Sequence, residues 1–165
     1  MFAKFWWTKI WELGIWFKLT KIDKSQNAMM EAHKGQTRLD KVTPYSTHPI
    51  DVVKTLQYMG IKDDDIICAG YLHDVLEDTK YSSDMILTNF GDRVLSIVNE
   101  LTFKPEISDE EYWEKCGAMS LDAKWVKMAD IISNLSSKDE KSSHFVTKRV
   151  KALKIIIKGL NLSWK

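Results

Sequence analysis

Residues 66–78 read IICAGYLHDVLED, an apolar run leading into a cluster of ionisable side chains, and the spacing predicts one buried helix that continues through Glu77. On that helix His73 shares a face with Glu77, four residues later. Asp74 and Asp78 are paired in the same way. Such groups are costly to bury unless they are paired or bind a metal ion, and imidazole and carboxylate are usual ligands of Mn, Fe or Zn. The stretch therefore predicts a helical core that carries a divalent-cation site at one end.

Helix signals recur along the rest of the 165-residue chain, and no convincing alternating strand pattern is found. The predicted helices cover residues 25–33, 48–60, 63–77, 82–91, 92–101, a segment beginning at 108, 120–135 and 143–160. The hydrophobic fraction of 44% and the charged fraction of 28% are those of an ordinary globular domain. We therefore predict an all-α fold, a compact helical bundle over residues 21–165.

The first twenty residues form a separate aromatic segment, so we assign residues 1–20 and 21–165 to two units. Helical spacing places five apolar side chains on one stripe: Phe2, Trp6, Ile10, Leu13 and Phe17. Four charged side chains interrupt the segment: Lys4, Lys9, Glu12 and Lys18. These charges argue against a signal peptide and against a membrane span. An amphipathic helix of this kind would dock on its own domain, on a second subunit or on a membrane surface.

The charge balance and the cysteines bear on partners and compartment. The formal net charge is +1, which is too small for the broad basic field that drives nonspecific nucleic-acid binding, so we expect no nucleic-acid partner. Cys68 and Cys116 are far apart and show no metal-ligand spacing. This pattern favours reduced thiols in a cytoplasmic protein.

A metal site needs ligands from elsewhere in the chain, and two positions offer them. His48 stands at a predicted helix start, and Asp130 lies inside an otherwise apolar helical stretch. Lys127 and Asn134 share the helix face of Asp130, three residues before it and four after it. Each residue alone has an ordinary structural explanation, but the order His, His-Asp, Asp across several helices is far more specific. The candidate metal ligands are His48, His73, Asp74 and Asp130.

Short sequence words around these residues follow a fixed order: AHKGQTR at 32–38, PYSTHP at 44–49, LHDVLEDT at 72–79, FG at 90–91, ELT at 100–102 and VKMAD at 126–130. Together they resemble the hydrolase domain of RelA/SpoT-type enzymes and the stand-alone small alarmone hydrolases of the HD superfamily. The resemblance covers about residues 27–135. It implies an HD-domain helical bundle, one Mn²⁺ on the four candidate ligands, and hydrolysis of the 3′-pyrophosphate of (p)ppGpp to GDP or GTP and pyrophosphate.

The resemblance also implies roles for residues near the ion. Glu77 and Asp78 would serve the attacking water, and we expect Glu77 to act as its general base or to orient it. Arg38 and Asn134 match positions that contact the nucleotide. The basic candidates for phosphate binding are Arg38, Lys41, Lys127 and Arg149.

Three further side chains have less specific assignments. Tyr45 either contacts the substrate, by stacking on a base or by hydrogen bonding, or simply packs beside Pro44. His33 is expected to be structural or to line the pocket, and His144 to lie on the surface.

Several positions depart from the family pattern. Ile131 stands where family members usually carry Arg or Lys, Ile132 and Ser133 replace Leu with His or Tyr, and Arg149 aligns loosely with a Tyr. The nucleotide therefore stays open: an adenine alarmone, a deoxynucleotide or a phosphorylated dinucleotide cofactor are alternative substrates. A binding module that senses a nucleotide without turnover is a second alternative, although a pure sensor has little need for both carboxylates after the His-Asp pair.

Overall fold

The computed structural model describes residues 19–103, 106–137 and 141–160, so the aromatic segment predicted over residues 1–20 lies almost entirely outside them. Over the described residues the chain forms nine helices: α1 Lys21–Ala32, α2 Thr47–Tyr58, α3 Asp64–Leu72, α4 Val75–Asp78, α5 Ser83–Phe90, α6 Asp92–Leu101, α7 Asp109–Ala118, α8 Leu121–Ser136 and α9 Ser143–Gly159. The same residues contain one isolated β-bridge, between Thr37 and Pro44, and no strand. The predicted all-α fold is confirmed, and the division at residue 20 stays a prediction.

The start of α1 differs from the prediction. Thr20 and Asp23 form a capping box, in which each side chain accepts a hydrogen bond from the other's backbone N–H. Ser25, at which the helix was predicted to start, instead lies buried inside α1, where its hydroxyl donates to the Ile22 carbonyl at 2.8 Å. Three other helices, α5, α7 and α8, begin at serine caps: Ser82, Ser108 and Ser120.

The helix predicted to run through Glu77 is in fact two helices, and this prediction is wrong. α3 ends at Leu72, and α4 covers Val75–Asp78. At the junction the His73 ring nitrogen Nδ1 donates to the carbonyl of Gly70 at 2.9 Å. The Asp74 carbonyl then accepts hydrogen bonds from two backbone N–H groups of α4, those of Glu77 and Asp78. The His-Asp pair therefore lies at a bend between two helices, where its side chains are not committed to one helical face.

α3 is the central helix of the bundle. Seven of its nine residues are buried, and it contacts α1, α2, α6 and α8. A helix that is apolar on every side is one that its neighbours enclose. α2 also packs along α8, while α9 packs against α7 and α8. None of the described helices combines the length and the apolar character needed to cross a membrane.

Gly70 sets how closely α2 approaches α3. A Cβ atom added at Gly70 would lie 2.8 Å from Leu56 Cδ1 and 3.1 Å from Val53 Cγ2, both in α2. Both of those side chains are almost completely buried, so neither has room to withdraw in a close-packed interior. The absence of a side chain at this position lets α2 lie against the end of α3.

We expect Gly70→Ala to destabilise the protein by about 1–2 kcal/mol, because the overpacking cost exceeds the gain in helix propensity. Urea denaturation measures the change. Gly117→Ala is the matched control, since its Cβ would lie 3.3 Å from a single atom of Ile155 and the free energy of unfolding should change by less than about 1 kcal/mol. A Gly70→Ala variant as stable as the wild type would show that α2 is not held at this distance.

Candidate metal centre and active site

Two imidazoles and one carboxylate from separate parts of the fold meet at a buried point. His48 on α2, His73 after α3 and Asp130 in α8 are each no more than 4% exposed. His48 Nε2 lies 3.3 Å from His73 Nε2 and 3.2 Å from Asp130 Oδ1. One ligand atom from each of the three lies within 4.8 Å of the others. Among the described residues these three form a group that is able to hold a metal ion.

Asp74 joins this group from a more accessible position. Its Oδ2 lies 2.9 Å from His73 Nε2 and 3.7 Å from His48 Nε2. The side chain of Asp74 is 18% exposed, whereas the other three candidate ligands are almost fully buried. The structure thus brings the four predicted ligands together, although Asp74 lies outside the compact group of three.

The hydrogen bonds around the imidazoles suit a cation. The Gly70 carbonyl can only accept, so the neutral His73 ring carries its hydrogen on Nδ1 and its lone pair on Nε2. The Ser133 hydroxyl lies 3.2 Å from His48 Nδ1 and allows the same arrangement there. The atoms that face one another are then electron-pair donors. Metal–ligand bonds of about 2.0–2.2 Å place neighbouring ligand atoms roughly 3 Å apart, which fits the observed separations of 2.9 to 3.8 Å.

The charges of the group favour the same conclusion. Burial lowers the pKa of His73, but the carboxylates of Asp74 and Asp130 outweigh burial and raise it to about 9. Burial opposes ionisation of Asp74, yet the neighbouring His73 lowers the pKa of Asp74 to about 2. Lys127 and the imidazoles hold the pKa of Asp130 well below its usual value, against the effect of burial. The two carboxylates are thus ionised and favour positive charge beside them, and a divalent ion bound by neutral imidazoles is one way to supply it.

Two neighbours on α8 hold Asp130 in place. The Lys127 ammonium donates to Asp130 Oδ2 at 2.9 Å, and the Asn134 amide donates to Oδ1 at 2.6 Å. Lys127 is itself buried, and although burial disfavours its charge, the contact with Asp130 raises its pKa. Both residues were predicted to contact substrate. They line the cavity described below, but in this structure their polar groups orient the carboxylate.

Glu77 and Asp78 lie on α4 and line the same cavity. Glu77 Oε1 accepts a hydrogen bond from the Phe103 backbone N–H at 2.7 Å. Burial raises the pKa of Glu77 above its ordinary value. The Tyr45 hydroxyl lies 3.2 Å from Asp78 Oδ2. Both carboxylates lie on the short helix that begins just after the His-Asp pair.

A cavity of about 590 Å³ lies beside the group, which is a typical size for a small-molecule site. The predicted substrate contacts that line it are Arg38, Tyr45, Lys127, Asn134 and Arg149. Lys41 is not among the lining residues; it is exposed and adopts a left-handed backbone conformation with a φ of 59°. Asp40 accepts hydrogen bonds from the next backbone amides and closes a tight turn here. That turn leaves Lys41 outside the cavity.

One side of the cavity is a wall of aromatic rings and cations, which we call the cation–aromatic wall: Phe103, Tyr112, Phe145, Lys148 and Arg149. The Arg149 guanidinium lies 5.2 Å from the centre of the Tyr112 ring and 4.8 Å from that of Phe145. Only Arg149 of this wall was predicted. Phe145 precedes Lys148 and Arg149 by three and four residues, so the face they share on α9 was visible in the sequence. Phe103 and Tyr112 come from other elements, and no local spacing connects them to the site.

The two cations of the wall differ in their partners. Lys148 is paired with Asp109 at 2.8 Å. No carboxylate of the described residues pairs with Arg149, and its buried Nε has no hydrogen-bond partner there. A guanidinium held between two rings without a counter-charge is suited to bind an anion, since its planar fork matches phosphate oxygens.

The comparisons with known proteins agree with this geometry. The family model described as HD domain matches residues 26–152. The chain belongs to the HD-domain family. Among solved structures, this HD-domain protein is similar to the subject of "A metazoan ortholog of SpoT hydrolyzes ppGpp and plays a role in starvation responses", with a TM-score of 0.72, 26% identity and 88% of each chain covered. The resemblance to HD-superfamily hydrolases that the sequence motifs indicated is thereby confirmed.

Curated relatives carry a more specific name. The HD-domain chain is 36% identical over 118 residues to the guanosine-3′,5′-bis(diphosphate) 3′-pyrophosphohydrolase MESH1 of Xenopus tropicalis, covering 68% of this chain and 66% of the relative. It is 37% identical over 109 residues to MESH1 of Homo sapiens, covering 62% of this chain and 61% of the relative. The match therefore spans slightly less than two thirds of the length of these relatives.

A divalent ion should stabilise the protein through these ligands. At a free Mn²⁺ concentration 100 times its Kd, binding to the folded state contributes about 2.7 kcal/mol, which corresponds to a rise in Tm of about 5–11 °C over an EDTA-treated sample. Differential scanning fluorimetry measures the shift. His48→Ala should abolish it, whereas His144→Ala, which alters an exposed histidine, should retain it. An undiminished shift in His48→Ala would place the ion elsewhere.

Proposed function

We propose that this HD-domain protein is a metal-dependent phosphohydrolase that removes the 3′-pyrophosphate from (p)ppGpp-like nucleotides. The observation that carries the proposal is the convergence of two imidazoles and two carboxylates, beside a cavity that also holds Glu77, Asp78 and a cation–aromatic wall. The names of the curated relatives support this substrate class.

In this proposal His48, His73, Asp74 and Asp130 hold the ion, and Mn²⁺ is our assignment. The chemistry supplied by such an ion is acidification of a water molecule and neutralisation of phosphate charge. Lys127 and Asn134 keep the Asp130 carboxylate oriented. Outer hydrogen bonds of this kind fix ligand geometry and commonly matter almost as much as the ligands.

Glu77 is proposed to orient the attacking water and to accept its proton. Its raised pKa, which results mainly from burial, brings the carboxylate closer to the range in which a general base works. The Phe103 backbone N–H donates to Oε1 of Glu77 and fixes the plane of the carboxyl group. The other oxygen, Oε2, takes no part in that hydrogen bond. Asp78 lies next in the chain and is proposed to share in holding the water.

The reaction is attack of water on the phosphorus attached to the ribose 3′-oxygen. A new phosphorus–oxygen bond forms, the bond to the 3′-oxygen breaks, and the 3′-oxygen takes up a proton. The products are the nucleoside 5′-diphosphate or 5′-triphosphate and pyrophosphate. Arg38 and Arg149 are proposed to bind substrate phosphates, while Lys127 acts through Asp130. Nothing in the cavity supports the predicted contact with Lys41.

Other expectations from the sequence belong to the proposal as well. We assign a nucleotide as the small-molecule partner, no nucleic-acid partner and a cytoplasmic location. The aromatic segment over residues 1–20 is assigned to contacts with its own domain, a second subunit or a membrane surface. These assignments follow from charge and composition.

A nucleotide panel tests the proposed substrate class. With Mn²⁺, we expect ppGpp and pppGpp to release pyrophosphate faster than ppApp, deoxynucleoside triphosphates or NADPH release pyrophosphate or phosphate. Ion chromatography of the products measures both anions. His73→Ala should be inactive and His144→Ala fully active. Release of phosphate from NADPH as the fastest reaction, or tight binding without any turnover, would overturn the assignment.

Changing Glu77 to Gln should lower kcat by about 10²-fold or more, the usual scale for a general base, while the Mn²⁺-dependent rise in Tm is kept. Because the folded-state pKa of Glu77 is raised, its stabilising contribution is complete only at low pH and is lost as the pH rises through that pKa. At pH 7 the Gln variant should therefore be at least as stable as the wild type. Wild-type activity should fall as the pH drops through the same pKa.

Steady-state kinetics and thermal unfolding at pH 7 test this expectation, with Glu31→Gln as the control at an exposed carboxylate. The assigned role would be wrong if Glu77→Gln lost its metal and then worked normally once Mn²⁺ was supplied in excess.

A further inference from the structure

Tyr45 occupies an unexpected position between two carboxylates. Its hydroxyl donates to Asp74 Oδ2 at 2.5 Å and lies 3.2 Å from Asp78 Oδ2. The hydroxyl has a single hydrogen, so the short contact to Asp74 is the primary bond and Asp78 is the second neighbour. Tyr45 therefore connects a candidate metal ligand to a candidate catalytic carboxylate.

The ring of Tyr45 is itself held in place. The imidazole of His33 stacks on it, with ring centres 4.6 Å apart and planes 29° apart. His33 is 2% exposed, so one face of the Tyr45 ring is covered by a buried group. On another side the ring meets His48 edge-on at 6.0 Å. A nucleotide base would have to displace His33 to stack on that face.

A closed set of hydrogen bonds fixes this arrangement through Gln36. His33 Nδ1 lies 2.7 Å from Gln36 Oε1, and the Gln36 side-chain amide donates to the Asp78 carbonyl at 2.8 Å. The Gln36 backbone carbonyl accepts the amide hydrogen of Tyr45 at 2.9 Å. The loop that precedes α2 is thereby tied to α4, on the side of the site where Asp74 and Asp78 lie.

Asp74 needs such support more than the other candidate ligands do. Asp130 is held by an ammonium and an amide on its own helix, and His73 by the Gly70 carbonyl. Asp74 lies at the bend between α3 and α4 and is the most exposed of the four. Among the described residues, Tyr45 is its only side-chain donor besides the imidazoles.

We propose that Tyr45 is a positioning residue of the metal centre, which holds Asp74 as a ligand and Asp78 beside it, while His33 and Gln36 fix the angle of its ring. The Tyr45 face that His33 covers is then closed to the substrate base, although stacking on a base was one of the roles open for Tyr45 in the sequence. The inference rests on the proposed metal centre and hence on the proposed function.

Tyr45→Phe separates the two roles, since it keeps the ring and removes the hydroxyl. We expect the Mn²⁺ affinity, measured by isothermal titration without nucleotide, to fall by about 10- to 100-fold, the usual effect of losing an outer hydrogen bond to a metal ligand. The Tm in EDTA should stay close to that of the wild type, and the nucleotide KM at saturating Mn²⁺ should be unchanged. Tyr81→Phe, at a half-buried tyrosine outside the cavity lining, should leave the Mn²⁺ affinity as it is.

Two variants of His33 test the contribution of the ring stack. His33→Ala removes the stacked ring and should weaken Mn²⁺ binding several-fold, through its effect on Tyr45. His33→Phe keeps a flat ring and loses only the hydrogen bond between His33 Nδ1 and Gln36 Oε1, since the buried His33 Nε2 has no partner in the described residues. It should therefore retain more of the affinity than His33→Ala does.

The results distinguish this inference from the proposed function. Unchanged Mn²⁺ affinity in Tyr45→Phe, or a raised nucleotide KM at saturating Mn²⁺, would overturn the positioning role while wild-type hydrolysis stands. A wild-type protein that neither binds Mn²⁺ nor hydrolyses any nucleotide of the panel would overturn the proposed function itself.

Discussion

The close approach of α2 to the end of α3 is the constraint on which the site depends. Gly70 allows Leu56 and Val53 to press against the α3 backbone, and its carbonyl also accepts the hydrogen of His73 Nδ1. One residue thus brings the helix of His48 near and fixes which nitrogen of His73 faces it. The separation of 3.3 Å between the two Nε2 atoms follows from both effects.

Each remaining candidate ligand has its own means of support. Asp130 is supported within one helix, by side chains three residues before and four residues after it. Asp74 is supported from outside, by a loop that approaches across the bend. The first arrangement belongs to a rigid element, whereas the second joins two separate parts of the chain. Disturbance of the loop before α2 would therefore act on Asp74 and on the adjacent His48, whose backbone N–H donates to the Tyr45 carbonyl, while Asp130 stays supported by its own helix.

Much of this could be predicted from the sequence, and the failures have physical causes. His48 and Asp130 are recognisable because polar groups are rare in buried apolar helices without a function. The bend after Leu72 is not recognisable, since neither Gly nor Pro stands between Leu72 and Val75. Helical periodicity continues across it, and the break becomes apparent only in the structure, where the His73 ring bonds to the backbone carbonyl three residues before it.

Lys41 and the cation–aromatic wall show the same limit at longer range. A turn capped by Asp40 decides where Lys41 lies, and a positive φ at a lysine is not foreseeable from residue type. Tyr112 reaches the cavity because α7 and α9 pack together, and Phe103, which follows α6, has its ring centre 5.0 Å from that of Tyr112. Sequence spacing identifies groups that share one helix, but it does not identify groups that meet through packing.

The guanidinium of Arg149 has a consequence for encounter rates. Its charge is held against low-dielectric rings and is paired with no carboxylate of residues 19–103, 106–137 and 141–160, so it contributes a local attractive potential although the whole chain is nearly neutral. Polyphosphates diffusing nearby would be drawn towards the cavity before any contact forms. That attraction is screened over a Debye length of about 8 Å at physiological ionic strength. The association rate should therefore fall as salt is added, while the rate of the chemical step at the metal centre should stay the same.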